Sequence, residues 1–427
     1  MLLEVHMLQT HPPSNPNRDD LGAPKSAIFG GALRARISSQ CIKRSIRQSE
    51  VFRERMQGSL GTRTVYFPEL VANALRDSSI PAEDHEALVR ACVNIASKEK
   101  DDKSREDEDA VDAGGANEPV EDAARPRTGQ LIFVGPLEAR EFVRVFEETR
   151  GNDRATYKEF MGAASDSGKK KEDSKVKGGK QKEKPEKESR GLKDMKKRLS
   201  GAYQKNAADI ALFGRMVTSD AFENVEAAMQ VAHAISTHRI TPETDYYTAV
   251  DDLKGELDSG SAYLDEAQFS SATFYKYFSV NFDALCTNLG DNRELAARAV
   301  TAFIEAAATT VPSGKRNSYA NNNLPDVIMV EIKDRNIPTS YANAFAKPVT
   351  GSEAGGMVGE SVRLLRDYAA KISVAYAIEG QRLWCAVEDV ARDNDLGSAG
   401  KLEQLTFPAM LGRIGNMLGS VPNGAGA

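Results

Sequence analysis

TFYKYFSVNF, residues 273–282, puts Phe274, Phe278, Val280 and Phe282 on one side of an extended chain. Aromatic and β-branched residues alternating at period two predict a strand with a buried face. Downstream, residues 291–311 carry Leu295, Val300, Phe303, Ile304 and Ala307 at helical spacing, and Val327 to Ile332 (VIMVEI) reads as a second buried strand. Upstream, Leu3, Val5 and Met7 alternate at the very start of the chain, ahead of the turn-rich His11-Pro12-Pro13-Ser14-Asn15-Pro16. A long helix is expected from about Val358 to Ile378, while Gln381 to Val390, with the single Trp384, takes no clear assignment. Strand, loop, helix, a long insertion, strand, helix, strand and C-terminal helices together fit an α+β fold. The pattern is a split β-α-β sheet of ferredoxin-like type.

The insertion is marked by charge. Residues 99–109 hold seven acids and three bases, and residues 169–198 hold fourteen bases and six acids. The second run has almost no apolar residue before Leu192, so disorder is expected over about 97–125 and 165–200. Its lysines read equally as a nucleic-acid contact and as a solvated spacer. Between the two runs, Leu131 to Val134 predicts a strand and Leu137 to Arg150 a helix. Before them, residues 64–96 predict one or two helices with Leu70, Leu75, Leu88, Val89 and Val93 in the core. After them, Phe222, Val225, Met229, Ala232 and Ile235 stand at helical spacing and predict a helix.

Residues 11–47 carry the functional signal. Seven cations (Arg18, Lys25, Arg34, Arg36, Lys43, Arg44, Arg47) face two acids, in a chain whose formal net charge is −6. An acidic protein that concentrates cations in one segment directs it at a polyanion. Gly30-Gly31 lets backbone approach a ligand, and Ser38 or Ser39 is placed to cap a helix whose free N–H groups suit a phosphate. Ile42 and Ile46 share one helical face, which leaves Lys43, Arg44 and Arg47 to a partner or to solvent. The ligand this implies is a phosphodiester backbone.

Other classes are disfavoured. No apolar run reaches membrane-spanning length, and MLLEVHML lacks the basic start of a secretory signal, so a cytoplasmic protein is expected. The four cysteines are scattered and the five histidines show no HExxH, so neither a disulfide framework nor a metal or other cofactor is expected. No P-loop, GxGxxG or nucleophile motif is present.

NRDD at Asn17–Asp20, AIFGG at Ala27–Gly31 and RISSQ-x-x-KR at Arg36–Arg44 belong to a longer collinear set. GRM-x-TS at Gly214–Ser219, HAI-x-TH at His233–His238, TAVDDL at Thr248–Leu253 and ANAF at Ala342–Phe345 continue it. In this order they resemble the backbone subunit of the type I-E CRISPR Cascade surveillance complex, the CasC family, over most of the chain outside residues 97–200. The resemblance implies an RNA-recognition-like palm (residues 1–60 and 256–427), a helical finger insertion (61–205) and a thumb hairpin (206–255). It implies a non-catalytic protein that stacks in several copies along a guide CRISPR RNA and presents it to target DNA. Its partners would be the large and small subunits, the guide 5′-end cap subunit and the guide-processing endoribonuclease. Arg18, Lys25, Ser38, Gln40, Lys43, Arg44 and Arg47 fall where guide phosphates are held. Arg34, Arg36, Ser39, Arg215, Lys315 and Arg316 are further RNA-binding candidates. Met216 and Tyr247 fall where side chains wedge against kinked bases, with Thr248 beside them. Without the resemblance, Met216 and Tyr247 would read as ordinary core packing. The rival from another class is a metal-dependent ribonuclease using Asp19 and Asp20. A third reading is a general single-stranded RNA binder.

Overall fold

In the computed structural model the described residues are 1–95, 125–162, 190–249, 263–352, 355–387 and 402–419. The strands are β1 (Leu2–Ser14), β2 (Ser26–Phe29), β3 (Ala32–Ile37), β4 (Thr62–Thr64), β5 (Ile132–Val134) and β6 (Met229–Val231). Then come β7 (Ala234–Ser236), β8 (Glu243–Ala249), β9 (Tyr263–Asn281), β10 (Val327–Lys333), β11 (Gln381–Ala386) and β12 (Glu403–Gln404). The first helices are α1 (Ser39–Gln48), α2 (Glu50–Arg55), α3 (Phe67–Leu75), α4 (Ala82–Ile95), α5 (Glu138–Asn152), α6 (Arg190–Ser200) and α7 (Ala208–Phe213). They are followed by α8 (Phe282–Asn288), α9 (Arg293–Thr309), α10 (Arg316–Tyr319), α11 (Gly356–Tyr376) and α12 (Phe407–Gly419).

The chain divides into two units, residues 1–56, 228–287 and 291–427 in the first, and 57–227 with 288–290 in the second. The first unit holds the main sheet, in the order β12-β11-β10-β1-β9-β7-β3-β2. At its centre β10, β1, β9 and β7 are all antiparallel neighbours, with α1 lying in sequence between β1 and β7 and α9 between β9 and β10. That is the expected ferredoxin-like order, and the protein is α+β as its sequence indicates.

Both faces of the sheet are covered, so β9 is buried on both sides where it crosses the centre. Phe278 meets Phe303 of α9 edge-on at 5.1 Å between ring centres, on the face that also carries Phe274 and Lys276. Tyr275 and Tyr277 point the other way, into a cluster with Val362, Leu365 and Ala369 of α11, Phe345 and Trp384. Phe282, expected in the strand, instead opens α8, because Asn281 turns the chain by accepting the Ala284 N–H at 3.1 Å. The unassigned stretch around Trp384 is β11, a neighbour of β10.

The α11 face also buries charge. Glu4 accepts from Lys333, Tyr277 and the backbone of Thr339, while Glu331 accepts from Arg382 at 2.5 Å and from Tyr341 at 2.8 Å. His6 stacks on Tyr341 at 4.5 Å and shares a 2.8 Å hydrogen bond with the Tyr275 hydroxyl. Burial opposes ionisation of Glu331. His6 Nε2, 3.4 Å away, and the charges of Lys333 and Arg382 override it and hold this carboxyl well below the usual range.

The second unit is mainly helical around Phe67, Val71, Leu75, Leu88, Phe142, Phe146, Phe160 and Phe222, beside the small ribbon β4–β5. Leu75 and Leu88 are buried as expected, Val89 packs against the cluster, and Val93 is half-buried, whereas Leu70 is exposed. The expected strand at 131–134 and helix at 137–150 are β5 and α5. The end of the lysine-rich run, expected to be disordered, is helix α6, anchored by Met195 and Leu199; the rest of that run and of residues 97–125 lies mostly outside the described residues. The helix expected around 222–235 is absent. Phe222 and Val225 serve the second unit's cores, while Met229 and Ile235 lie in the short strands β6 and β7.

Candidate nucleic-acid interface

The interface is built in the first unit around the N-terminus of α1. Ser38 is the N-cap; its hydroxyl oxygen accepts the Cys41 N–H at 3.2 Å. Asn17 Oδ1 accepts the Ser38 N–H at 2.9 Å, which ties the loop after β1 to the helix start. That loop closes on itself: Lys25 N–H donates to Asn17 O at 2.9 Å and Asp19 N–H to Ala23 O at 2.9 Å. Arg18 is exposed at its base, bridged to Pro24. Residues 313–316 pack on the same loop, since a Cβ at Gly314 would lie 2.5 Å from Pro16 O and 2.8 Å from Asn15 O. Lys315, in left-handed backbone with φ 43°, and Arg316, whose Nε donates to Asn322 at 3.0 Å, follow directly from that contact with Asn15 and Pro16.

Ile42 and Ile46 bury the inner face of α1, as their spacing predicts. Arg44 and Gln40 are exposed; Ser39, Lys43 and Arg47 are half-buried. Beneath the helix Lys276 is enclosed by Ile37, Ile42, Ser45, Ile46, Ala307, Thr310 and Pro312, and this burial pulls its ammonium down to about 8. Lys25 and Arg36 lie together beside His233: Arg36 N–H donates to Lys25 O at 2.9 Å, and its Nη1 meets His233 Nδ1 at 3.3 Å.

Two candidates have other employment. Arg34 is buried, and its guanidinium donates to Phe29 O, Ser236 O, Thr237 O, Phe345 O and Ala346 O. It thus fastens the FGG turn to the ANAF segment, where Gly30 is so close that a Cβ would sit 1.7 Å from Ala346 O. Arg215, in the second unit, is also buried. It pairs with Glu138 at 2.7 Å, donates to Phe133 O and Glu223 O, and lies 4.4 Å over the Tyr203 ring. Neither guanidinium faces solvent, so neither is a phosphate ligand in this conformation.

Pinned Arg215 leaves the next side chain projecting: Met216 is 89% exposed, the opposite of core packing. Tyr247 and Thr248 lie on β8, which is exposed along its whole length and pairs with the outer part of β9. Tyr247 is 43% exposed, and its hydroxyl donates to Asp265 Oδ2 at 2.9 Å across the hairpin. The hairpin spans Glu243 to Phe269, whereas residues 206–227, expected in the thumb, group with the second unit.

Asp19 is used locally, its Oδ1 accepting the N–H groups of Leu21 at 3.0 Å and Ala23 at 2.8 Å. Among the described residues no three His, Cys, Asp or Glu side chains converge as a metal site would require. No helix among them is long and apolar enough to cross a membrane. Sequence reasoning misses Asn17 and His233 as parts of this interface. Both stand inside motifs noted for other residues, but charge counting passes over neutral side chains.

A capped helix start with cations on the adjoining loop, beside an α+β sheet, is a surface of the kind that suits an anion. Residues 3–410 match the CT1975-like protein family, and the chain belongs to that family. Among solved structures it is similar to a chain of a "CRISPR RNA-guided surveillance complex, pre-nicking", at 29% identity and TM-score 0.70, covering 98% of this chain and 100% of that one. A chain of a "CRISPR RNA-guided surveillance complex" shares the fold at 24% identity and TM-score 0.54, covering 98% and 99%. No curated protein matches the chain.

Proposed function

We propose that this chain is the repeating, non-catalytic backbone subunit of a type I-E CRISPR surveillance complex in the cytoplasm. Several copies coat a guide RNA, hold its phosphates and present its bases to target DNA. The observation that carries this reading is the capped start of α1, tied through Asn17 to the loop of Arg18 and Lys25, with Arg36 bonded to the Lys25 carbonyl and the segment of Lys315 and Arg316 packed on Asn15 and Pro16. Such a site grips a backbone without reading base edges, as a guide of any sequence demands. Met216 and Tyr247 supply exposed apolar and aromatic surface against which unstacked bases pack, kinking the strand at a fixed interval. The remaining partners are the large and small subunits, the guide-end cap and the processing endoribonuclease.

The test is to co-express the chain with a processed guide and partner subunits, then probe the bound RNA base by base. A regular ladder of exposed bases, abolished by Met216→Ala with Tyr247→Ala, is expected. RNA bound with no periodic pattern would remove the filament reading.

A further inference from the structure

His233 stands where β7 meets the helix start. The register pairs Arg36 with Ile235 and Ile37 with Ala234, so one step further sets His233 across from Ser38, the N-cap of α1. Its Nδ1 lies 3.3 Å from Arg36 Nη1. A guanidinium only donates, so Nδ1 accepts, and the ring proton is left on Nε2. Burial, then the charges of Arg36 and Lys25, lower the basicity of this imidazole, which keeps it neutral near pH 7. Those two cations, Arg36 on β3 and Lys25 ahead of β2, are the charged groups that bear on it. Among the described residues neither pairs with a carboxylate. Two cations without a carboxylate partner and the start of α1 thus adjoin an imidazole whose Nε2 carries its proton.

We propose that His233 is a further phosphate-contacting residue, its Nε2–H donating to a non-bridging oxygen of the strand held at the N-terminus of α1. The inference rests on the RNA-binding reading above and adds a neutral donor to a site otherwise made of cations. A bound phosphate restores the basicity that Arg36 and Lys25 remove, so binding takes up a proton as pH falls through the imidazole range.

The experiment is anisotropy of a labelled, unstructured RNA with the full chain, over pH about 5.5 to 8 and several salt concentrations. At neutral pH His233→Phe should bind about tenfold more weakly, the loss of one hydrogen bond to a charged group. Its salt slope should stay that of the parent, because no charge is removed. His233→Gln keeps an N–H donor and should hold most of the affinity, yet lose the tightening below pH about 6.5. If His233→Phe does not fold, the pH profile of His233→Gln decides alone. Identical profiles for parent and His233→Gln overturn the inference, as does equal loss in both variants. RNA bound by the parent with His233 indifferent sinks this inference only. A parent that binds no RNA sinks the proposed function with it.

Discussion

Asn17 and Ser38 are joined by one hydrogen bond of 2.9 Å, side-chain oxygen to backbone N–H, across 21 residues of sequence. That bond sets the loop carrying Arg18 against the first turn of α1, so the cations and the helix amides present themselves as one surface. Asn17→Ala leaves a buried N–H unpaired and should cost about 1–3 kcal/mol of stability. It should also weaken RNA binding more than an exposed-residue variant such as Gln40→Ala does. Urea unfolding and RNA titration on the same preparation check both.

Arg34 and Arg44 look alike in composition and differ in consequence. Arg34→Ala strips the donor from five carbonyl oxygens and should cost about 3 kcal/mol or more, with Arg34→Lys rescuing little, because an ammonium cannot reproduce the fork. Arg44→Ala should leave the melting temperature unchanged and reduce the salt dependence of RNA binding by about one phosphate's share. Melting curves paired with salt titrations separate the two roles.

Lys276 predicts an unusual pH profile. Its folded pKa of about 8 lies below the ordinary lysine value, so the unfolded chain holds the proton more tightly. Stability should therefore rise with pH between about 8 and 10 from this group. Lys276→Met should flatten that rise and stabilise the protein at pH 7 by about 2–3 kcal/mol. Urea unfolding as a function of pH reads both effects.

Glu331 has the opposite sign. Its carboxyl is held below the unfolded value, so its contribution is present above the ordinary carboxylate range and is lost as pH falls below about 4. Glu331→Gln leaves Arg382 and Lys333 without their shared partner and should cost about 3–5 kcal/mol at pH 7. The gap from the parent should shrink at low pH. Unfolding at neutral and acid pH measures the difference.

Long periodic elements are legible in the amino-acid sequence. β9 shows its alternation because it runs 19 residues, and α1 shows both its cap and its buried isoleucines. The region 222–235 misleads because two three-residue strands are too short to display a period of two. Apolar residues serving separate units there happen to fall three and four apart. Charge marks a candidate interface but not its membership. A buried guanidinium such as Arg34 or Arg215 differs from an exposed one only through carbonyls and carboxylates supplied from distant sequence. The projection of Met216 depends likewise on Glu138, 77 residues from the Arg215 it pins.

The central place of β1 has a consequence for how the protein is made. Both sheet neighbours of β1, β9 and β10, lie far downstream in sequence, and Arg34 waits for carbonyls near residue 345. At ordinary elongation rates β1 spends on the order of half a minute as an unpaired apolar strand. The loop after β1 can close on itself in that interval, but the cationic surface is completed only when Lys315 and Arg316, which follow β9 in the chain, have been made.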